Sequence, residues 1–158
     1  MAEEKTQYIT VQGLKDLQTE LEYIKNQKIP DIAIRIDEAK QHGDLSENAE
    51  YQQAKEEMAW AQGRKQDLVY IIDHSQIMTE SDKKQDSISV GSTITITIQT
   101  NNKTRVYTIV GPQEADPLQG KISNESPLGM SFIGHKVGEK VSVNTPAGKQ
   151  IYEILDLK

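Results

Sequence analysis

The sequence predicts an α+β protein in two parts, an antiparallel two-helix coiled coil followed by a small antiparallel sheet carrying one short helix. Three observations predict it. Apolar residues recur three and four apart as far as Ile72, the period falls to two from Ile94 onward, and a Gly-centred break divides the helical half. The expected organisation is a coiled-coil arm over residues 1–78, a linker over 79–89 and a C-terminal domain over 90–158.

In the arm, Leu14, Leu17, Leu21 and Ile24 form one helical stripe. Ile29, Ile32, Ile36 and Ala39 resume the spacing one residue out of phase. Pro30 sits at the slip, where a missing N–H predicts a kinked or interrupted helix. A second stripe runs Tyr51, Ala54, Met58, Ala61, Lys65, Leu68, Ile72, and only Lys65 departs from apolar character. The bend at His42, Gly43 and Asp44 leaves so few connecting residues that the helices must pack antiparallel, the second running from about Asp44 to His74. Trp60 lies on the flank of its stripe, as a packing residue at the rim would.

Thr79–Ser89 is polar and charged, as a linker is. Ile94, Ile96 and Ile98 alternate with threonines, a turn falls at Asn101 and Asn102, and Val106, Thr108 and Val110 return, predicting a hairpin. Val141 and Val143, the turn Pro146–Gly148 and the stretch Ile151–Leu157 predict another. Between the hairpins, Ser126 and Pro127 read as the N-cap and first residue of a short helix that Gly134 ends.

Composition narrows the function. There are 158 residues and no cysteine, so disulfides, thiolate metal sites and cysteine nucleophiles are excluded. No apolar run reaches the ~20 residues of a membrane span, and the polar start from Met1 to Gln7 has no signal-peptide core; a cytoplasmic protein is expected. The net charge of −6 is concentrated in residues 1–86, which hold 11 basic and 18 acidic side chains, against 7 and 6 in residues 87–158. A surface of that sign gains nothing from phosphate counterion release, so autonomous nucleic-acid binding is not expected, and a protein partner or a cation is. The apolar fraction of 35% suits a two-helix arm, which buries one stripe per helix and wets its other faces.

The bend reads HGDLSENAEY over residues 42–51. Asp44 followed by Glu47 has the spacing of a capping box opening the second helix. The same two carboxylates, at the end of a long arm, are also hard oxygen ligands of the kind that suit Mg²⁺, and by themselves they make half a site. Glu50, one turn on, either tunes the local field or continues the acidic first turn. Lys40 and His42 precede the bend as solvated arm residues or as contacts to a ligand. His74 and His135 have no second ligand at metal spacing.

The GDLSENAEY stretch of residues 43–51 resembles the tip of the bacterial transcript cleavage factors, the GreA/GreB family. Ile29–Ile32 match that family's proline-interrupted first helix. Gly111, Glu114, Ala115 and Asp116, then Ser126 and Pro127, then Ile133, Gly134 and Lys136, then Thr145, Pro146 and Gly148 resemble its C-terminal signature, so nearly the whole chain is covered in order. The segment Leu128–Phe132 departs from the alanine- and arginine-rich version common in the family.

The resemblance implies a monomeric accessory factor of bacterial RNA polymerase, with no complete active site of its own. Its coiled coil would enter the secondary channel, and an FKBP-like C-terminal domain would dock on the channel rim through Asp116, Ser126 and Pro127. Asp44 and Glu47 would help hold a second Mg²⁺ shared with the polymerase active centre, so that the polymerase cleaves backtracked RNA near its 3′ end. Lys40, His42 and Glu50 would lie near that RNA. Two other readings are a non-cleaving regulator of the same channel and a prolyl isomerase with a helical appendage. Against the latter, the C-terminal domain has only Tyr107, Phe132 and Tyr152 as aromatics.

Overall fold

A computed structural model describes residues 6–43, 47–79 and 86–158. The chain forms two compact units, Leu14–His74 and a second made of Met1–Gly13 with Ser75–Lys158. This grouping differs from an arm of residues 1–78 at both ends, because two short strands there pair with each other. Among the described residues no helix is long and apolar enough to cross a membrane.

The helical unit is a hairpin. Helix α1 spans Val11–Tyr23, a π-helical turn follows at Ile24–Lys28, α2 spans Ile29–Lys40, and α3 returns over Ala49–His74. The buried residues of the outgoing limb are Leu17, Ile24, Ile32 and Ala39, separated by seven, eight and seven positions. Those of α3 are Ala54, Ala61 and Leu68, seven apart, with Ile71 beyond. The eight-residue interval contains the π turn, where the Ile29 N–H reaches back to the Ile24 carbonyl five residues earlier. One extra residue per turn is what a one-residue slip of the stripe requires. Pro30 falls in the first turn of α2, where an N–H is least needed, and the chain remains helical through it.

Charged forks join the limbs beside the seam. Arg64 Nε and Nη2 donate to Glu20 Oε1 and Oε2 at 2.8 and 2.9 Å, and the Arg35 guanidinium forks onto the Glu57 carboxylate. The Arg64–Glu20 pair is part-buried, whereas the Arg35–Glu57 pair is exposed, where such a pair contributes little energy. Lys28 Nζ sits 4.2 Å from the centroid of Trp60, whose ring remains exposed.

In the other unit, β1 (Gln7–Thr10) pairs in parallel with β2 (Ser75–Met78), and Ile9 is buried. Neither strand is anticipated by periodicity. A larger sheet of β3 (Thr93–Ile98), β4 (Lys103–Val110), β5 (Lys121–Ser123), β6 (Lys140–Thr145) and β7 (Gly148–Leu157) has the order β5-β4-β3-β7-β6. Its pairings are antiparallel except β4 with β5, which are parallel, so the sheet is mixed where a wholly antiparallel one was expected. Both predicted hairpins form. Asn102 takes φ 52° at one turn, where the Asn101 side chain accepts the Lys103 N–H at 3.0 Å. Gly148 takes φ 112° at the other, opposite Thr145.

The core of this unit gathers Ile88, Ile94, Ile96, Ile109, Phe132 and Ile154 with its valines and Tyr152. Ile88 thus belongs to packed structure although it lies in the expected linker; residues 80–85 of that linker fall outside the described residues. Phe132 ends helix α4 (Pro127–Phe132) and meets Tyr152 edge to face at 5.6 Å. Burial pushes the Tyr152 hydroxyl above its ordinary pKa. Gly111, just after β4, lies against the Tyr8 carbonyl so closely that any Cβ would overlap it. That approach brings β1 onto the end of β4.

Candidate functional site at the hairpin tip

Helix α2 ends through a turn in which the Gln41 and His42 N–H groups bond the Glu38 and Ala39 carbonyls. Gly43 then takes φ 125°, a conformation open to glycine, and turns the chain out of the helix. Asp44, the first of the two expected metal ligands, lies outside the described residues. Glu47 is exposed and stands two residues before α3.

Asn48 caps α3. Its Oδ1 accepts the Tyr51 N–H at 3.1 Å, and its Nδ2 donates to the Ala39 carbonyl at 2.8 Å. The helix therefore starts later than the spacing of Asp44 and Glu47 suggests, and Glu47 precedes the cap instead of standing in the first turn. A carboxylate so placed has no position in the hydrogen-bond ladder of α3. The signal in the sequence was Asn48 itself, a residue type favoured at N-caps.

Glu47 and Glu50 line one open hollow with His42, Asn48 and Ala49, so three of the expected tip residues come together. His42 and Glu50 also border a second hollow, with Arg35, Glu38, Ala39, Gln53 and Ala54. Lys40 faces Asp37 at 3.9 Å, a loose pair one turn below. The chemical character of the tip is thus exposed carboxylate oxygen with an imidazole beside it, and among the described residues no three acidic or imidazole side chains are grouped as they would be around a metal ion. Beneath it, Arg35 holds the Glu57 carboxyl below its ordinary range by direct hydrogen bonding.

The second expected group lies around β5. Asp116 is bridged to Lys121 by paired backbone bonds of 2.9 Å, and its Oδ1 accepts the Leu118 N–H at 3.0 Å, capping the short 3₁₀ turn Pro117–Gln119. At the other end, Ser126 Oγ donates to the Ser123 carbonyl at 2.7 Å and accepts the Gly129 N–H at 3.0 Å, capping α4 as its position predicts. Pro127 follows, exposed. The three residues frame one short edge strand, and Leu118 between them is 98% exposed. Phe132 and Tyr152 are buried in the core, leaving Tyr107 half-buried as the third aromatic.

An acid-tipped helical hairpin followed by a small mixed sheet defines a class, and comparison with known proteins agrees with it. The family model described as Transcription elongation factor, N-terminal matches residues 7–77, and the one described as Transcription elongation factor, GreA/GreB, C-term matches residues 83–158. The chain belongs to the GreA/GreB family of transcription elongation factors. Among its relatives, Transcription elongation factor GreA of Halalkalibacterium halodurans is 42% identical over the full length of both chains. That of Leuconostoc mesenteroides is 47% identical over 96% of this chain and 94% of its own. A solved structure, the GreA factor homolog 1 protein of Thermus thermophilus, is 25% identical over 98% of this chain and 99% of its own, with a TM-score of 0.45.

Proposed function

We propose that this elongation factor is a transcript cleavage factor. It inserts the α1–α3 hairpin into the secondary channel of bacterial RNA polymerase and stimulates the polymerase's own cleavage of backtracked RNA, rescuing arrested complexes. The observation that carries this reading is the exposed Glu47 at the far end of a 26-residue returning helix. At about 1.5 Å per residue, such a helix reaches roughly 39 Å from its base.

In this reading Asp44 and Glu47 donate carboxylate oxygens to a Mg²⁺ shared with the polymerase. A two-metal centre activates water and steadies the leaving oxygen in phosphodiester hydrolysis. The chain's own contribution is charge and placement. Gly43 turns the backbone outward, Asn48 anchors the return, and Glu47 is left free of the helix ladder. His42, Lys40 and Glu50 border the space that the RNA 3′ end would enter. Asp116, Ser126 and Pro127 dock on the channel rim, and the factor acts in the cytoplasm as a monomer, supplying ligands rather than a complete active site.

Incubation with halted, backtracked polymerase complexes and Mg²⁺ tests the proposal. The intact chain is expected to shorten the RNA, and the double variant Asp44→Ala/Glu47→Ala to lose that activity while still competing with the intact chain for polymerase. Binding without shortened RNA by the intact chain would instead assign a non-cleaving regulator of the channel.

A further inference from the structure

Glu114 closes the short 3₁₀ turn Pro112–Glu114 after β4, and its carboxylate reaches the start of α1, 104 residues earlier in the chain. Oε2 accepts the Thr10 backbone N–H at 2.9 Å, and Oε1 accepts the Thr10 hydroxyl. Thr10 Oγ1 in turn accepts the Gly13 N–H at 3.0 Å, the bond an N-cap residue makes to its helix. The contacts form a relay in which a carboxylate orients the hydroxyl that caps α1. A negative charge is also the favourable one beside the unpaired N–H groups of a helix start.

Gly13 completes the arrangement. A Cβ on Gly13 would overlap the Glu114 carboxylate, so this turn of α1 has been kept bare where the acid lies against it. Thr10, Gly13, Gly111 and Glu114 all belong to the same compact unit, and the division between units falls inside α1, immediately after Gly13.

We infer that Glu114 is a positioning residue for the cleavage activity proposed above, on which this inference rests: through Thr10 it clamps the first turn of α1, the helix that continues into the arm. Reaction rates fall steeply when catalytic groups are held loosely, so a first turn of α1 that frays without Glu114 is expected to lower the cleavage rate.

Hydrogen exchange of the free full-length protein, read at residues 8–13, tests the clamp without reference to polymerase. Glu114→Ala is expected to speed exchange there roughly tenfold, the scale of a lost hydrogen bond to a charged group. Glu114→Gln, which keeps one oxygen acceptor, is expected to have a smaller effect. Gly13→Ala separates the clamp from helix propensity. With Glu114 present the new methyl displaces the carboxylate and exchange quickens; in the Glu114→Ala background the same change slows it about threefold, because alanine is the better helix former.

In the cleavage assay, Glu114→Ala is expected to lower the rate at saturating factor several-fold while the half-saturating concentration changes little. Unchanged exchange in Glu114→Ala, or protection by Gly13→Ala in both backgrounds, overturns the clamp. Altered exchange with an undiminished saturated rate overturns the positioning role. If the intact protein cleaves nothing, the functional reading falls and takes the positioning role with it, while the exchange data still decide the clamp.

Discussion

Asn48 bonds across the bend of the hairpin to Ala39, its amide donating to the carbonyl at the end of α2 while its Oδ1 caps α3. One side chain adds a second bond to a carbonyl that already accepts the His42 N–H and satisfies an orphan N–H of the returning helix. Asn48→Ala removes both bonds and is expected to destabilise the arm by about 1–2 kcal/mol. Asn48→Asp keeps the acceptor and loses the donor, so its thermal midpoint should fall between those of the parent and the alanine variant. Equal midpoints for the two variants would assign the whole effect to the Ala39 bond.

Acid sensitivity of the arm follows from Glu57. The Arg35 hydrogen bond, the leading cause, and its positive charge hold the folded carboxyl below the ordinary value of 4.5. The unfolded chain therefore takes up this proton first as pH falls. The contribution of the pair is complete above the ordinary carboxylate pKa and is lost as pH drops through the depressed folded value. Melting curves across that range should show a shallower acid limb for Glu57→Gln than for the parent. Superimposable limbs would show that the fork contributes nothing to stability.

Two glycines should respond to alanine with opposite signs. At Gly111 the methyl would meet the Tyr8 backbone carbonyl, and β1 must move away, at a cost of about 1–3 kcal/mol. Gly63 lies inside α3 with nothing within 4 Å of the new methyl, so helix propensity alone acts and stability should rise by up to about 1 kcal/mol. Denaturant unfolding of both variants measures the contrast.

Lys28 and Trp60 join the outgoing limb to α3 through a cation over an indole face. A double-mutant cycle with Lys28→Ala and Trp60→Ala should return a coupling of about 0.5–1 kcal/mol, as for an exposed cation–π pair. A coupling near zero would mean that the two side chains contribute only separate packing.

The parts of the fold that were legible in the sequence are those with local repeats. The seam residues Leu17, Ile24, Ile32, Ala39, Ala54, Ala61 and Leu68 stand in heptad-like intervals, and isoleucines alternating with threonines mark β3. Strands β1, β2 and β5 were not legible, because four, four and three residues are too short for a period. β1 and β2 also pair across most of the arm, as Gln7 with Ser75 shows.

At the tip, the sequence identified an acidic bend, but its spacing pointed to Asp44 with Glu47 as the capping pair, whereas Asn48 caps α3. The choice depends on the Ala39 carbonyl, a contact nine residues away. Around β5, Ser126 was readable as a cap from Pro127 beside it. The turn that Asp116 caps required knowledge of its bridge to Lys121. Glu114 could be matched to a signature, but its reach to Thr10 is purely tertiary.

The π turn at Ile24–Lys28 makes the arm a counted length rather than a continuous one. Removing a single residue there, such as Gln27, would bring Leu17, Ile24, Ile32 and Ala39 into unbroken sevens and allow α1 and α2 to fuse as one regular helix with the same face inward. Removing one from the middle of α2 would instead rotate everything beyond it by about 100° and turn Ala39 out of the seam. Natural variation in arm length is therefore expected to be absorbed at this turn, and circular dichroism with thermal melting of the two deletions would show one arm preserved and the other frayed toward its tip.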